Sequence, residues 1–260
     1  MGLRSLAGGS HLFIACVGKR TNMNHVLRDD VVLITGASNG IGRATALRFA
    51  QESSKVIITY NKDEEAAWEA AEQCQNEGAR GSMVLRLDVM DDISIRKAVA
   101  DTVGEMGRID VLVNNAGVIE RRRVEEQTFE DIERQLRINL EGPIKMTRSS
   151  LPHLRNMVIN IASVTALRGY PTLGVYAASK AGLIAFTRTL AKEIEPRKAY
   201  NVFPRATATR MTDFHGDPPE LVAEAIVDLA RGNYLVPNGG DVKVDDLPAM
   251  RGYSMADVMR

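Results

Sequence analysis

From Val31 onward, short apolar runs alternate with longer stretches of mixed polarity. "VVLIT" (31–35) leads into "GIGRATALRFAQES", and "KVIITY" (55–60) into "DEEAAWEAAEQCQNEG". "MVLRLDV" (83–89) precedes "DISIRKAVADTVGEMG", and "IDVLVN" (109–114) precedes one long helical stretch around Phe129 to Leu151. "MVINIAS" (157–163) precedes a helix through Lys180 to Glu195. "YNVF" (200–203), the helical "LVAEAIVDLA" and a last candidate strand "DVKVD" (241–245) complete the series. Acidic residues open the second helix, and Gly78 and Gly107 stop the second and third.

Several apolar runs are solid rather than alternating, as parallel strands covered on both faces are. Strand–helix alternation at this spacing predicts βαβ units with right-handed crossovers. The fold class that follows is α/β: a single-domain, Rossmann-type, doubly wound parallel sheet with helices on both faces. With no repeats and no linker, 260 residues suit one domain, spanning 25–246. Residues 1–24 read as a poorly ordered extension and 247–260 as a tail. The apolar patch Leu12 to Val17 is too short for a signal-peptide core or a membrane span. A strand pattern starts soon after Met23, which predicts translation from that methionine.

Charge narrows the partners. Lys and Arg total 33 and so do Asp and Glu, with no basic or acidic half. That disfavours nucleic acid and anionic membranes. "RRR" (121–123) lies beside Glu125 and Glu126 and reads as solvated surface. Two distant cysteines, Cys16 and Cys74, and four scattered histidines lack ligand spacing, so no metal site is expected. A reducing compartment, the cytoplasm, is the default.

In an open parallel sheet, ligands bind outside the carboxyl ends of the strands. After the first run comes "TGASNGIG". Gly36, Gly40 and Gly42, with Ser38, Asn39 and Ile41, suit a tight turn that brings main-chain N–H groups to a pyrophosphate. After the second come Tyr60, Asn61 and Lys62, where an acidic residue often holds a ribose hydroxyl. Lys62 suits a 2′-phosphate, favouring NADP with NAD also possible, or it simply opens a surface helix. Asp88 and Val89 follow the third run, as an adenine contact or a helix cap. "NNAG" follows the fourth; Asn115, Ala116 and Gly117 let the chain pass close to a flat cofactor, or form an ordinary turn.

Ser163 ends the fifth run, and "YAASKAG" places Tyr176 and Lys180 four residues apart on one helix face. A nearby ammonium makes a phenol easier to ionise, and an ordinary tyrosine is a poor base at neutral pH. Ser163 is placed to hold a carbonyl near the phenol.

"TGASNGIG", "NNAG", Asn139 in "INLEG", and Ser163 with "YAASK" together resemble the short-chain dehydrogenase/reductase family, from about Leu27 to Asp246. The resemblance implies that Tyr176 is the general acid/base and that Lys180 lowers its pKa and binds the nicotinamide ribose. It implies that Ser163 orients the substrate and Asn139 holds a relay water. It also implies that Pro204, Thr207 and Thr209 close over the nicotinamide, with Arg205 standing where the family has glycine. Arg205 is expected at ordinary φ, pointing to solvent or to an anionic substrate group. A short lid and an open cleft are expected after Met211. The implied activity is hydride transfer to a small-molecule ketone or from a secondary alcohol, with a 3-oxoacyl thioester first and a sugar or polyol second. A catalytically silent dinucleotide-binding regulator and a structural subunit are alternatives from other classes. The family pattern further implies a homotetramer paired through the helices around 128–151 and 174–195.

Overall fold

The computed structural model describes residues 25–244. The readings made for 1–24 and for 247–260, and the start at Met23, lie outside the described residues. The elements run in order as β1 (Val31–Ile34), α1 (Gly40–Gln51), β2 (Lys55–Tyr60), α2 (Glu64–Asn76), β3 (Gly81–Arg86), α3 (Asp92–Met106) and β4 (Ile109–Asn114). Then come α4 (Phe129–Leu136), α5 (Gly142–Ser150), β5 (Leu154–Ile161), the short α6 (Thr165–Arg168), α7 (Gly174–Glu193), β6 (Lys198–Phe203), α8 (Pro219–Arg231) and β7 (Asp241–Lys243).

All strand pairs are parallel, in the order β3-β2-β1-β4-β5-β6-β7. The order reverses between β1 and β4, and a crevice opens there at the carboxyl edge. The solid apolar runs have a direct cause. Along β1, Val32 and Ile34 enter one core with Phe49 of α1, Ala67 of α2 and Ile226 of α8. Val31 and Leu33 enter the other, with Ile95 of α3, Met146 of α5 and Leu190 of α7. Each such side chain contributes about 1.5–3 kcal/mol when fully buried.

Local chemistry sets the helix ends. Asp91 caps α3 by accepting from the Ile93 and Ser94 N–H groups, and Gly107, at φ 77°, stops it. The single long helix expected around 129–151 is instead α4 and α5 joined by a π turn, Arg137–Glu141. Pro143 explains the break. It has no N–H to give the Asn139 carbonyl four residues earlier, so the regular ladder fails there.

Beyond the reversal point the sheet carries a polar row, buried at its three asparagines. Asn114 of β4, Asn160 of β5, Asn201 of β6 and Asp241 of β7 stand in register. The Asn114 amide donates to Asn160 Oδ1 at 2.8 Å, and the Asn160 amide to Thr187 Oγ1 at 2.8 Å. The Asn201 amide donates to Asp241 Oδ1 at 3.0 Å.

Candidate active site

A cleft of about 910 Å³ opens along the carboxyl edge, at the upper end of the range usual for ligand pockets. Its walls come from the β1–α1 loop, the turns after β2, β3 and β4, the Ser163 and Tyr176 segments, and the stretch after β6.

At one end, Gly36, Ser38, Asn39, Gly40 and Ile41 face the cleft. Gly42 lies beneath them, where a side chain would meet the Gly36 carbonyl at 2.4 Å and the Asn115 amide at 2.6 Å, so only glycine fits. Asn39 sits at the N-cap of α1 but makes no side-chain bond to the first turn. Those N–H groups therefore face the cleft beside the positive end of the helix dipole, the arrangement that a pyrophosphate requires. The loop is held from below. The Gly36 N–H donates to Thr59 Oγ1, which in turn donates to the Ile34 carbonyl. The Asn115 amide donates to the Thr35 and Gly36 carbonyls at 2.9 and 3.0 Å, and Thr35 Oγ1 accepts from the Asn115 and Ala116 N–H groups. Thr35 and Thr59 were not singled out in the sequence. Their signal is a hydroxyl at the end of an otherwise apolar strand.

Lys62, Asp88, Val89, Asn115, Ala116 and Gly117 also line the cleft. Asp88 is not the cap of α3. Its carboxylate accepts from the Met90 N–H at 2.9 Å, making the turn that ends β3 early. Tyr60 is a correction. Its side chain joins Val56 and Ile58 in the core, only 9 % exposed, and does not form the cleft wall. Strand alternation puts residues 56, 58 and 60 on one face, and Asn61, Lys62 and Asp63 hold the rim instead.

At the other end the cleft meets Ser163, Tyr176 and Lys180. Ser163 Oγ accepts from Thr165 Oγ1 at 2.8 Å and from the Thr165 N–H at 3.3 Å. Its own proton is left to donate, and Ser163 lies close enough to the Tyr176 phenol to favour its ionised form. Lys180 is 4 % exposed, and its Nζ donates to the Ile161 carbonyl at 2.7 Å. It lies 5.9 Å from the centre of the Tyr176 ring. Burial lowers the Lys180 pKa to about 8. Burial raises that of Tyr176, partly offset by the Ser163 hydrogen bond and then by the Arg121 charge. Desolvation is the dominant cause at both groups, and the Lys180 ammonium is bonded to the Ile161 carbonyl.

Asn139 is fully buried within the π turn and does not line the cleft. Its amide donates to the Val118 carbonyl and accepts from the Val118 N–H, both at 2.8 Å. It lies just behind Gly117, where a side chain would meet Asn139 Oδ1 at 3.2 Å and Lys180 Nζ at 3.7 Å.

Pro204, Thr207 and Thr209 face the cleft. Arg205 is absent from the positive-φ residues, and its exposed guanidinium lies 3.6 Å from Asp217. Its φ is ordinary, as expected, so glycine is not needed there, and Arg205 is itself part of the cleft lining. The chain then folds back on itself: the Asp217 N–H donates to the Ala206 carbonyl and the Ala208 N–H to the Asp217 carbonyl, both at 2.8 Å. A single 3-10 turn, Arg210–Thr212, is the only helical structure in this arc. Arg121, Tyr170 and Met211 also line the cleft; Arg121, read from the sequence as solvated surface, is exposed but stands at the site, and the other two were not picked out as site residues.

Among the described residues no group of His, Cys, Asp and Glu is arranged to hold a metal, and no helix is long and apolar enough to cross a membrane. The short chain dehydrogenase profile matches residues 30–219. The short-chain dehydrogenase/reductase FrzI of Cladobotryum sp. is 37% identical over 178 residues, covering 68% of both chains. The 3-oxoacyl-(acyl-carrier-protein) reductase FabG of Thermotoga maritima is 38% identical over 197 residues, covering 72% of this chain and 78% of its own. The crystal structure of a short chain dehydrogenase from Burkholderia cenocepacia J2315 in complex with NADP superposes with a TM-score of 0.78 at 28% identity, covering 84% of this chain and 97% of that one.

Proposed function

The chain belongs to the short chain dehydrogenase family, and from that premise we propose that it transfers a hydride between NADP(H) and a ketone or secondary alcohol. The carrying observation is that Ser163, Tyr176 and Lys180 face the same cleft as the uncapped start of α1. When bound, the nicotinamide gives or takes the hydride.

The protein supplies position and a proton. Ser163 has its Oγ held by Thr165 and donates to the substrate oxygen. Tyr176, its pKa raised by burial, remains a phenol at neutral pH and is suited to give its proton to the oxygen of the reduced carbonyl. Lys180 keeps its charge below about pH 8 and stabilises the phenolate left behind. It also binds the nicotinamide ribose. Both polar atoms of the Asn139 side chain are taken by Val118, so a relay water is held by the Asn139 main-chain carbonyl. Gly36 to Ile41, Lys62, Asp88, Val89, Asn115 to Gly117, Pro204, Thr207 and Thr209 hold the cofactor.

A 3-oxoacyl thioester is the substrate we favour. The relative from Thermotoga maritima carries that activity in its name. The short arc after β6 also leaves the mouth open for a tethered chain. A sugar or polyol is the second reading, favoured by the polar Arg121, Arg134 and Thr165 at the mouth. The intact triad argues against a silent regulator. A homotetramer paired through α4, α5 and α7 would cover Phe129, now 86% exposed, and light scattering tests it. A cytoplasmic setting suits the buried free thiol of Cys74, which burial pushes up to about 12.

The test is NADPH oxidation followed against a panel of 3-oxoacyl thioesters and sugars. Consumption with 3-oxoacyl thioesters supports the proposal. Tight NADPH binding without turnover of any carbonyl refutes it.

A further inference from the structure

Three separate segments converge on one carboxylate at the adenosine end of the cleft. Asp63 caps α2 by accepting from the Ala66 N–H at 3.3 Å. The same group accepts from the Asn39 amide of the β1–α1 loop at 3.3 Å. It also accepts from Arg210 Nη1, in the arc after β6, at 2.8 Å. Asn39, Lys62, Asp63 and Arg210 all line the cleft. The arc is seated here by a second contact: a side chain on Gly40 would meet Thr209 Cγ2 at 2.9 Å.

A lone carboxylate at this rim suits a ribose hydroxyl, which donates to it, and repels a phosphomonoester. Yet Asp63 is not alone. Arg210 holds its pKa below the usual carboxylate range, with the Ala66 N–H and the Asn39 amide adding to the effect. A guanidinium presents five donors in a planar fork that matches phosphate geometry, and a single bond to Asp63 leaves most of them for another acceptor. Its side chain is 65% exposed and is therefore free to pivot. The Asn39 position in the loop carries no charge, and Lys62 is joined at this rim by a cation from a segment 147 residues away from Asp63 in sequence.

We infer that Arg210 is a specificity-determining residue that grips the 2′-phosphate of NADP(H), with Asp63 as its resting counter-ion. The inference rests on the reading that the cleft holds a dinucleotide. Binding of the phosphate draws Arg210 off Asp63 and leaves the Asp63 carboxylate to Asn39 and the α2 cap. NADH has no such group, so the Arg210–Asp63 pair stays closed beside it.

Fluorescence titration of the full chain with NADPH and with NADH tests this. Arg210→Gln is expected to weaken NADPH binding about tenfold or more, the loss of a charge-assisted bond, and to move NADH binding less than threefold. Asp63→Asn keeps a capping side chain and releases Arg210, and is expected to tighten NADPH binding several-fold. Equal weakening of both cofactors by Arg210→Gln, or no change in either, overturns the inference. An unmodified chain that binds neither cofactor overturns the dinucleotide reading itself, a separate result.

Discussion

The two halves of the sheet build their parts of the cleft by different means. From β1 to β3 the wall is mostly main chain. The α1 N–H groups face the cleft, Gly42 leaves room for the loop, and Thr35 and Thr59 brace it from below. From β4 to β7 the working parts are side chains, Ser163, Tyr176 and Lys180, and the strands behind them carry the asparagine row. Main-chain recognition needs a close approach and little else. Proton transfer needs side chains at fixed depth, so the strands presenting them are locked in register by polar contacts that a one-residue slip would break.

Substitutions that strike one half and spare the other test this contrast. The largest effect is expected for Tyr176→Phe. Losing the proton donor should cut kcat about 10²- to 10⁴-fold, while NADPH titration stays within a few-fold of the parent. A matching loss of NADPH affinity would show that the halves are not separable.

Asn160→Ala removes the bond that Asn160 Oδ1 accepts from the Asn114 amide and the one that its own amide donates to Thr187 Oγ1, while Asn114 keeps Thr147 and Thr187 keeps the Leu183 carbonyl. A cost of about 1–3 kcal/mol in urea denaturation is expected, from two lost hydrogen bonds at about 0.5–1.5 kcal/mol each. A loss below about 0.5 kcal/mol would mean that the polar row locks nothing.

Lys180→Met should slow turnover yet raise thermal stability at pH 7. Burial lowers the Lys180 pKa from 10.5 to about 8, so the folded state opposes a charge that the unfolded chain carries freely. The penalty is on the order of 3 kcal/mol below pH 8, fades as pH rises through 8 toward 10.5, and is reduced by loss of the Ile161 bond. Melting curves from pH 6 to 10 should therefore show a stabilisation that narrows with rising pH. A constant offset would refute the electrostatic cause.

The smallest effect in this series falls in the first half. Gly42→Ala pushes a methyl group against the Gly36 carbonyl and should cost about 1–3 kcal/mol, read mainly as weaker NADPH binding. Parental kcat at saturating NADPH would confirm that the catalytic side chains were left in place.

Much of this architecture is legible in the sequence because both-face burial writes solid apolar runs, and Asp91, Gly78 and Gly107 mark the helix ends. The same solidity hides which face each residue takes, and Tyr60 was misplaced for that reason. Pro143 signals the π turn only once its missing N–H is matched to Asn139. The proton affinities of Tyr176 and Lys180 depend on depth, which spacing does not report. Asp63 and Arg210 meet only in the folded chain, so no local pattern announces them. Arg205 looked anomalous because the family has glycine there, but at ordinary φ its exposed side chain simply lies beside Asp217.

The backward fold of the arc after β6 has a kinetic meaning. Its root is stitched at Ala206, Ala208 and Asp217, so only the few residues around the Arg210–Thr212 turn are left to swing. Motions of so short a tether take nanoseconds to microseconds, well ahead of an ordinary enzyme's turnover. Movement of this arc is then too quick to set the pace. Deuterium placed at the transferring position of NADPH should slow kcat itself, and an unchanged kcat would point to a slower release step elsewhere in the cycle.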